Sequence, residues 1–201
     1  MPPYQIASPG FDDDAFSALS DLQERPVIEQ YQEDRERIQR AVVAPFKLYR
    51  DDLVLNWVLP AQWPLETERN VFSRIPKNDF GKGGANHHYW LSFYRPSRSR
   101  LKDIQLAHSL FPDRFVLGLY AFKGMGAAWT EARPAIENGL NIPAGFSVQQ
   151  DRNSIWIRRS IPREEVRTMG SQLVAWALEG IERLEPIYGA LTGLRPAVSR
   201  P

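Results

Sequence analysis

Cysteine is absent from this 201-residue chain, and that gap removes several chemistries at once. No disulfide framework, thiolate nucleophile or thiolate-bound metal can be built. A reducing compartment, the cytoplasm, is the expected home. Long apolar runs are missing too: none approaches the ~20 residues a membrane helix requires, so no membrane association is expected. The N-terminus, MPPYQIASPGFDDDAF, lacks the basic start and apolar centre of a signal peptide. Only three histidines are present. Two of them, His87 and His88, are adjacent, and neighbours on a strand point to opposite faces, so they cannot easily grip one ion. Neither a metal nor a cofactor is expected.

Catalytic signatures are equally thin. No serine sits in a G-x-S-x-G elbow. The GKGG at 81–84 lacks the Walker spacing, and Gly124-Met125-Gly126 stands without a dinucleotide fingerprint. Asp103, Asp113, Glu131, Glu137 and Asp151 are scattered, with no D/E-x-K triplet after a strand. No catalytic residue is assigned.

Charge is what the chain does have, unevenly spread. The net charge is +1, yet residues 1–37 hold nine acids against three basic residues. The stretch from Arg69 to Lys102, RNVFSRIPKNDFGKGGANHHYWLSFYRPSRSRLK, holds eight basic residues against one acid, a local charge of +7. Phe72, Phe80, Tyr89, Trp90, Phe93 and Tyr94 are woven through it. Basic side chains neutralise phosphates, and aromatic faces stack on unpaired bases. Arg74, Lys77, Lys82, His87, Arg95, Arg98, Arg100 and Lys102 are therefore the candidate phosphate contacts, and Tyr89, Trp90 and Tyr94 the candidate stacking rings. The same rings could instead be strand core, with the arginines decorating exposed loops.

An acidic arm over 1–37, one domain over 38–192 and a flexible tail over 193–201 are expected. Residues 1–10 read as a loosely docked tail. Asp12 to Asp14 cap a helix through Glu24. Pro26 opens a second helix, which Pro45 interrupts or kinks. A short strand begins the 71–102 region, followed by a strand over HHYWLSFYR. Ile104–Phe111 and Phe115–Phe122 form a hairpin, and Trp129–Asn138 a helix. A second hairpin turns at 151–153. Ser160 caps a final helix whose apolar stripe runs from Val166 to Leu191, bending at Pro186. The fold class is α+β: a mostly antiparallel central sheet flanked by N-terminal helices and a long C-terminal helix.

The order RIPKNDFGKGGANHHYWLSFYRPSRSR, then IQLAHSLFPDRFVLGLY, then WALEGIERLEPIYGAL resembles the N-terminal regions ahead of McrB-type AAA+ restriction GTPases, and an uncharacterised bacterial family with a similar central block. The likeness spans residues 40–192. Trp90 to Pro96 and Gly118-Leu119-Tyr120 match best; Asn78-Asp79-Phe80 replaces the usual arginine-rich run. The resemblance implies a target-recognition module of an anti-phage restriction system, with DNA as partner and an AAA+ motor or nuclease on another chain or fused domain. The leading expectation is thus a DNA-binding module able to read a modified base, without catalysis of its own. The alternatives are a protein-interaction subunit docking through the acidic arm, and an enzyme whose phosphate substrate binds the same basic loops.

Overall fold

The computed structural model of the chain describes residues 4–77, 81–137 and 139–198. Its first helix, α1 (Asp13–Glu24), starts where Asp12 accepts a hydrogen bond from the Ala15 amide at 3.0 Å, with Asp13 and Asp14 in the first turn. That is a side-chain cap reinforced by charge at the positive end of the helix. α1 buries Phe16, Leu19 and Leu22 completely, a gain of about 1.5–3 kcal/mol for each side chain. It shares one hydrophobic core with the rest of the chain and is no separate arm. Residues ahead of it are docked as well. The amides of Ala7 and Ser8 donate to the buried carboxylate of Asp52 at 2.9 and 2.8 Å.

After α2 (Ile28–Glu33), a nearly continuous helical rod runs through α3 (Arg35–Ile38), α4 (Ala44–Leu53) and α5 (Leu59–Ala61). Two π-turns, Gln39–Val43 and Val54–Val58, join its parts. Each lies just ahead of a proline, Pro45 or Pro60. Proline lacks an N–H and its ring crowds the carbonyl four residues back; the wider π-turn moves that carbonyl aside. The interruption expected at Pro45 is therefore absorbed without a break. Gln62, in the left-handed conformation (φ 51°), ends the rod.

Five strands follow: β1 (Tyr89–Phe93), β2 (Gln105–Leu110), β3 (Arg114–Phe122), β4 (Ser147–Gln150) and β5 (Ser154–Pro162). They form one antiparallel sheet in the order β1-β2-β3-β5-β4, with α6 (Ala127–Glu137) between β3 and β4. Helices α7 (Arg163–Met169) and α8 (Gln172–Thr192) complete an α+β fold. The strand expected at the start of the 71–102 region is instead a set of isolated bridges, Phe72 to Leu91 and Pro76 to Ala85 among them. That segment covers the outer edge of β1, where the Ser92 amide donates to Val71 and the Ser73 amide to Trp90, each at 2.8 Å. Ser160 caps no helix, because β5 runs on to Pro162. The last helix is divided at Gly170 (φ 50°) and passes through Pro186 unbroken. The C-terminal segment is docked through residue 198, with the Val198 amide donating to Ala61 at 3.2 Å.

Strand register decides which side chains meet the helices. Tyr89, Leu110 and Phe115 lie across from one another, as do Phe93, Leu106, Leu119 and Ile157. Phe11 and Phe46 pack their rings on Phe115 at 6.0 and 6.1 Å, and Trp57 packs on Phe93 at 5.8 Å, so this face is the core. The other face carries Trp90 and Ser109, then Ser92, Ala107, Gly118 and Arg158, then Gln105, Tyr120, Trp156 and Gln149. Among the described residues, no helix is long and apolar enough to cross a membrane.

Candidate nucleic-acid interface

Alternation along β1 separates the three candidate rings. Tyr89 points into the core, 6% exposed, stacked on Phe72 at 5.8 Å and edge-on to Phe46 at 5.5 Å. Burial pushes its phenol up to about 12. Tyr94, 3% exposed, donates from its hydroxyl to the Arg69 carbonyl at 2.5 Å. Both rings are committed to packing and present little surface to a base. Trp90 lies on the other face, half-buried, with the Arg100 guanidinium 4.3 Å from its ring centre.

The cations separate too. Arg95 is bound to the fully buried Asp103 through its amide at 2.9 Å and its Nε at 3.0 Å, and its Nη1 donates to the Thr192 carbonyl at 2.9 Å. It is a structural ion pair tying the end of β1 to the end of α8, and is not free for phosphate. Arg100 donates to the Phe72 carbonyl, and burial lowers its pKa. Lys102 donates to the Gly124 carbonyl at 3.0 Å. Arg74, Lys77, Lys82 and Arg98 are exposed and make no ion pair with a described residue. His87 packs against His88 at 5.4 Å. Asn78-Asp79-Phe80, where the chain departs from the pattern it resembles, lies outside the described residues.

Two cavities emerge beside Trp90. The first, about 500 Å³, is walled by Arg69, Arg74, Arg98 and Arg100, with Asn70 and Tyr94. It also holds one carboxylate, Glu66, whose Oε1 accepts from the amides of Arg69 and Glu68 at 2.8 and 2.9 Å, which lowers its pKa and keeps it ionised. The second, about 220 Å³, is a trough in the face of the sheet opposite the core. Small residues, Ala107 and Ser109 on β2, make its floor, and aromatic rings make its walls. Tyr120 meets Trp156 edge-on at 5.2 Å, and Phe111 stacks on His88 at 5.0 Å. Arg114 lies 4.6 Å from the Phe111 ring centre and Arg158 5.7 Å from that of Trp156. Beside the floor, Gly118 is obligatory: a Cβ there would sit 2.2 Å from the Ile157 carbonyl oxygen.

Neither a protein-family model nor a curated protein sequence matches this chain.

The geometry therefore carries the reading of the site. The trough is smaller than the ~300–1,000 Å³ of drug-sized pockets, which fits it to a single flat ring system. It also holds polar atoms without partners among the described residues: Nδ1 of His88 and Nε1 of Trp156, with the buried Ser92 Oγ nearby on the same face. Unpaired buried polar atoms are costly and await a partner. His88 stays neutral, its pKa lowered to about 4 by burial and by His87 and Lys77. Arg100 belongs to the cleft and covers Trp90 of the trough, so the two cavities share one wall. Among the described residues no group of three His, Asp or Glu side chains is disposed to hold a metal ion.

Sequence reasoning missed Phe111, Arg114, Tyr120, Trp156 and Arg158. The signal was there in alternation: Gln105, Ala107 and Ser109 put two polar residues and an alanine on the face of β2 opposite Leu106, His108 and Leu110. Several acids of residues 1–37, the arm weighed as a docking segment, form ion pairs within the chain. Asp14 meets Arg37 at 2.6 Å and Arg40 at 3.0 Å, and Asp13 meets Arg163 at 2.8 Å.

Proposed function

We propose that this chain is a DNA-binding module that seats an unpaired or extruded base in the aromatic trough and holds adjoining phosphates at the arginine cleft. The observation that carries the reading is the junction at Arg100 and Trp90, where an arginine-rich cleft and an aromatic trough meet. Stacking contributes roughly 1–3 kcal/mol per base and tolerates any base. The orphaned polar atoms at His88 and Trp156 supply the means to prefer one base edge, modified or not. On the resemblance of residues 40–192 to domains ahead of McrB-type GTPases, the natural setting is a restriction system with a motor or nuclease supplied elsewhere.

Fluorescence anisotropy across salt tests it, with single-stranded DNA, perfect duplex, and duplex carrying a mismatch or a methylated base. Tighter binding to unpaired or mismatched DNA is expected, with log K falling against log salt at a slope of about −2 for three phosphate contacts on a single strand. Weak, salt-independent binding that ignores pairing would overturn the proposal.

A second reading, assembly with a partner chain, is favoured by Leu48, Leu55 and Leu59, which are 40%, 44% and 61% exposed along the helical rod. Leu55→Glu with Leu59→Glu should leave DNA binding intact; if it also dissolves an oligomer or a complex in sedimentation, the rod is an assembly surface.

A further inference from the structure

Resting on that reading, we infer that the arginine cleft takes a phosphomonoester, the terminal phosphate of a strand, rather than internal diesters passing along a groove. Four arginines converge on one cleft of about 500 Å³, whereas Lys77, Lys82 and Lys102 lie outside its walls. A backbone-tracking surface would spread its cations along a line; this one gathers them at a point. Arg69, Arg74 and Arg98 have no ion pair with a described residue, and Arg100 is held ready by the Phe72 carbonyl and the Trp90 ring, with its Nε unpartnered. The carboxylate in the wall, Glu66, accepts at Oε1 from two backbone amides and stays ionised, one negative charge against four guanidinium groups.

Such a convergence suits the more highly charged ligand. A phosphomonoester carries about −1.5 to −2 at neutral pH and three terminal oxygens, against one charge and two such oxygens for a diester. Guanidinium forks match those oxygens in bidentate pairs, which orients the end group as well as attracting it. The shared wall then places the terminal nucleotide's base on the trough side of Arg100 and its phosphate on the cleft side. The same chemistry could come from a free nucleotide or inorganic phosphate, so the source must be separated by experiment.

The test is a competition on the intact chain with one oligonucleotide sequence in four forms: hydroxyl at both ends, 5′-phosphate, 3′-phosphate, and both phosphates. One phosphorylated end is expected to tighten binding roughly tenfold over the hydroxyl form, the scale of one charge-assisted hydrogen-bond set. Since the second ionisation of a phosphomonoester lies near pH ~6, that increment should grow between pH 5.5 and 7. Arg98→Gln or Arg74→Gln, both exposed, should erase the increment, while Lys82→Gln should leave it. Equal affinity for all four forms overturns the inference while the DNA-binding reading stands. Failure of the hydroxyl form to bind sinks that reading instead. Inorganic phosphate or a nucleoside monophosphate that binds as tightly as the phosphorylated oligonucleotide would overturn the strand-end assignment in favour of a small-molecule site.

Discussion

Arg95 and Arg98 stand three positions apart and have opposite surroundings. Arg95 neutralises a carboxylate with no solvent exposure, Asp103, and Arg98 faces the open cleft. Arg95→Ala strands that buried charge, so a loss of ~3–5 kcal/mol is expected in urea unfolding. Arg98→Ala should change stability by no more than about 0.5 kcal/mol and weaken DNA binding instead. Trp90→Ala should weaken binding by the ~1–3 kcal/mol of one stacked base, visible by titration, whereas Tyr89→Phe should leave affinity unchanged. Nothing in the sequence distinguished these neighbours. The composition of 69–102 marked a basic, aromatic stretch, but Tyr89, Phe93 and Tyr94 within it are buried, and along β1 Tyr89 and Trp90 fall on opposite sides. Both sides of that strand are aromatic, however, so its own residues could not say which was covered. Arg95 is spent on Asp103, eight positions away, a pairing that only the folded 3₁₀ turn at Arg100–Lys102 creates.

At the scale of elements, the hairpins and the Asp12 cap were legible, and the junctions and the start of the last helix were not. Asp12 capping α1 and the turns at 112–114 and 151–153 each rest on local chemistry, which the sequence carries within a few residues. The division of the last helix at Gly170 rests on a contact with a distant segment. Gly10 adopts φ +83°, and a Cβ there would fall 2.4 Å from the Gly170 carbonyl oxygen, so the N-terminal segment and the α7–α8 corner are fitted backbone to backbone. Gly10→Ala therefore meets both an unfavourable φ and a steric clash. Calorimetry should record a lower Tm, with a cost above ~1 kcal/mol. An unchanged Tm would mean that this docking contributes nothing to stability. Pro45 and Pro60 teach the same lesson: a proline signals the end of a helix locally, but packing of Phe46 and Trp57 in the core holds the rod together across both.

For the whole molecule, buried histidines set the response to acid. His88 is stacked on Phe111, and burial, with His87 and Lys77 nearby, lowers its pKa to about 4. His108 is fully buried on the core face, and its pKa is lowered to about 3 by burial alone. Its Nδ1 lies 2.8 Å from the Tyr49 hydroxyl, which burial keeps protonated and therefore able to donate. Both rings are neutral in the folded chain and titrate near 6.5 once unfolded, so below that pH the unfolded state binds more protons. Stability should be full above pH ~6.5 and fall on acidification by about 1.4 kcal/mol per pH unit for each histidine, until each folded pKa is reached. The depressed carboxylates, Asp14 held down by Arg37 and Glu66 by the Arg69 amide, start to matter only near their ordinary values of 3.8 and 4.5. The interval from pH 6 to 5 thus isolates the histidines. Urea unfolding at pH 7, 6 and 5 measures the slope, and His88→Gln should remove about half of it while retaining the fold. A stability that stays level from pH 7 to 5 would mean that neither imidazole is held neutral by burial, and that His88 meets solvent at the trough.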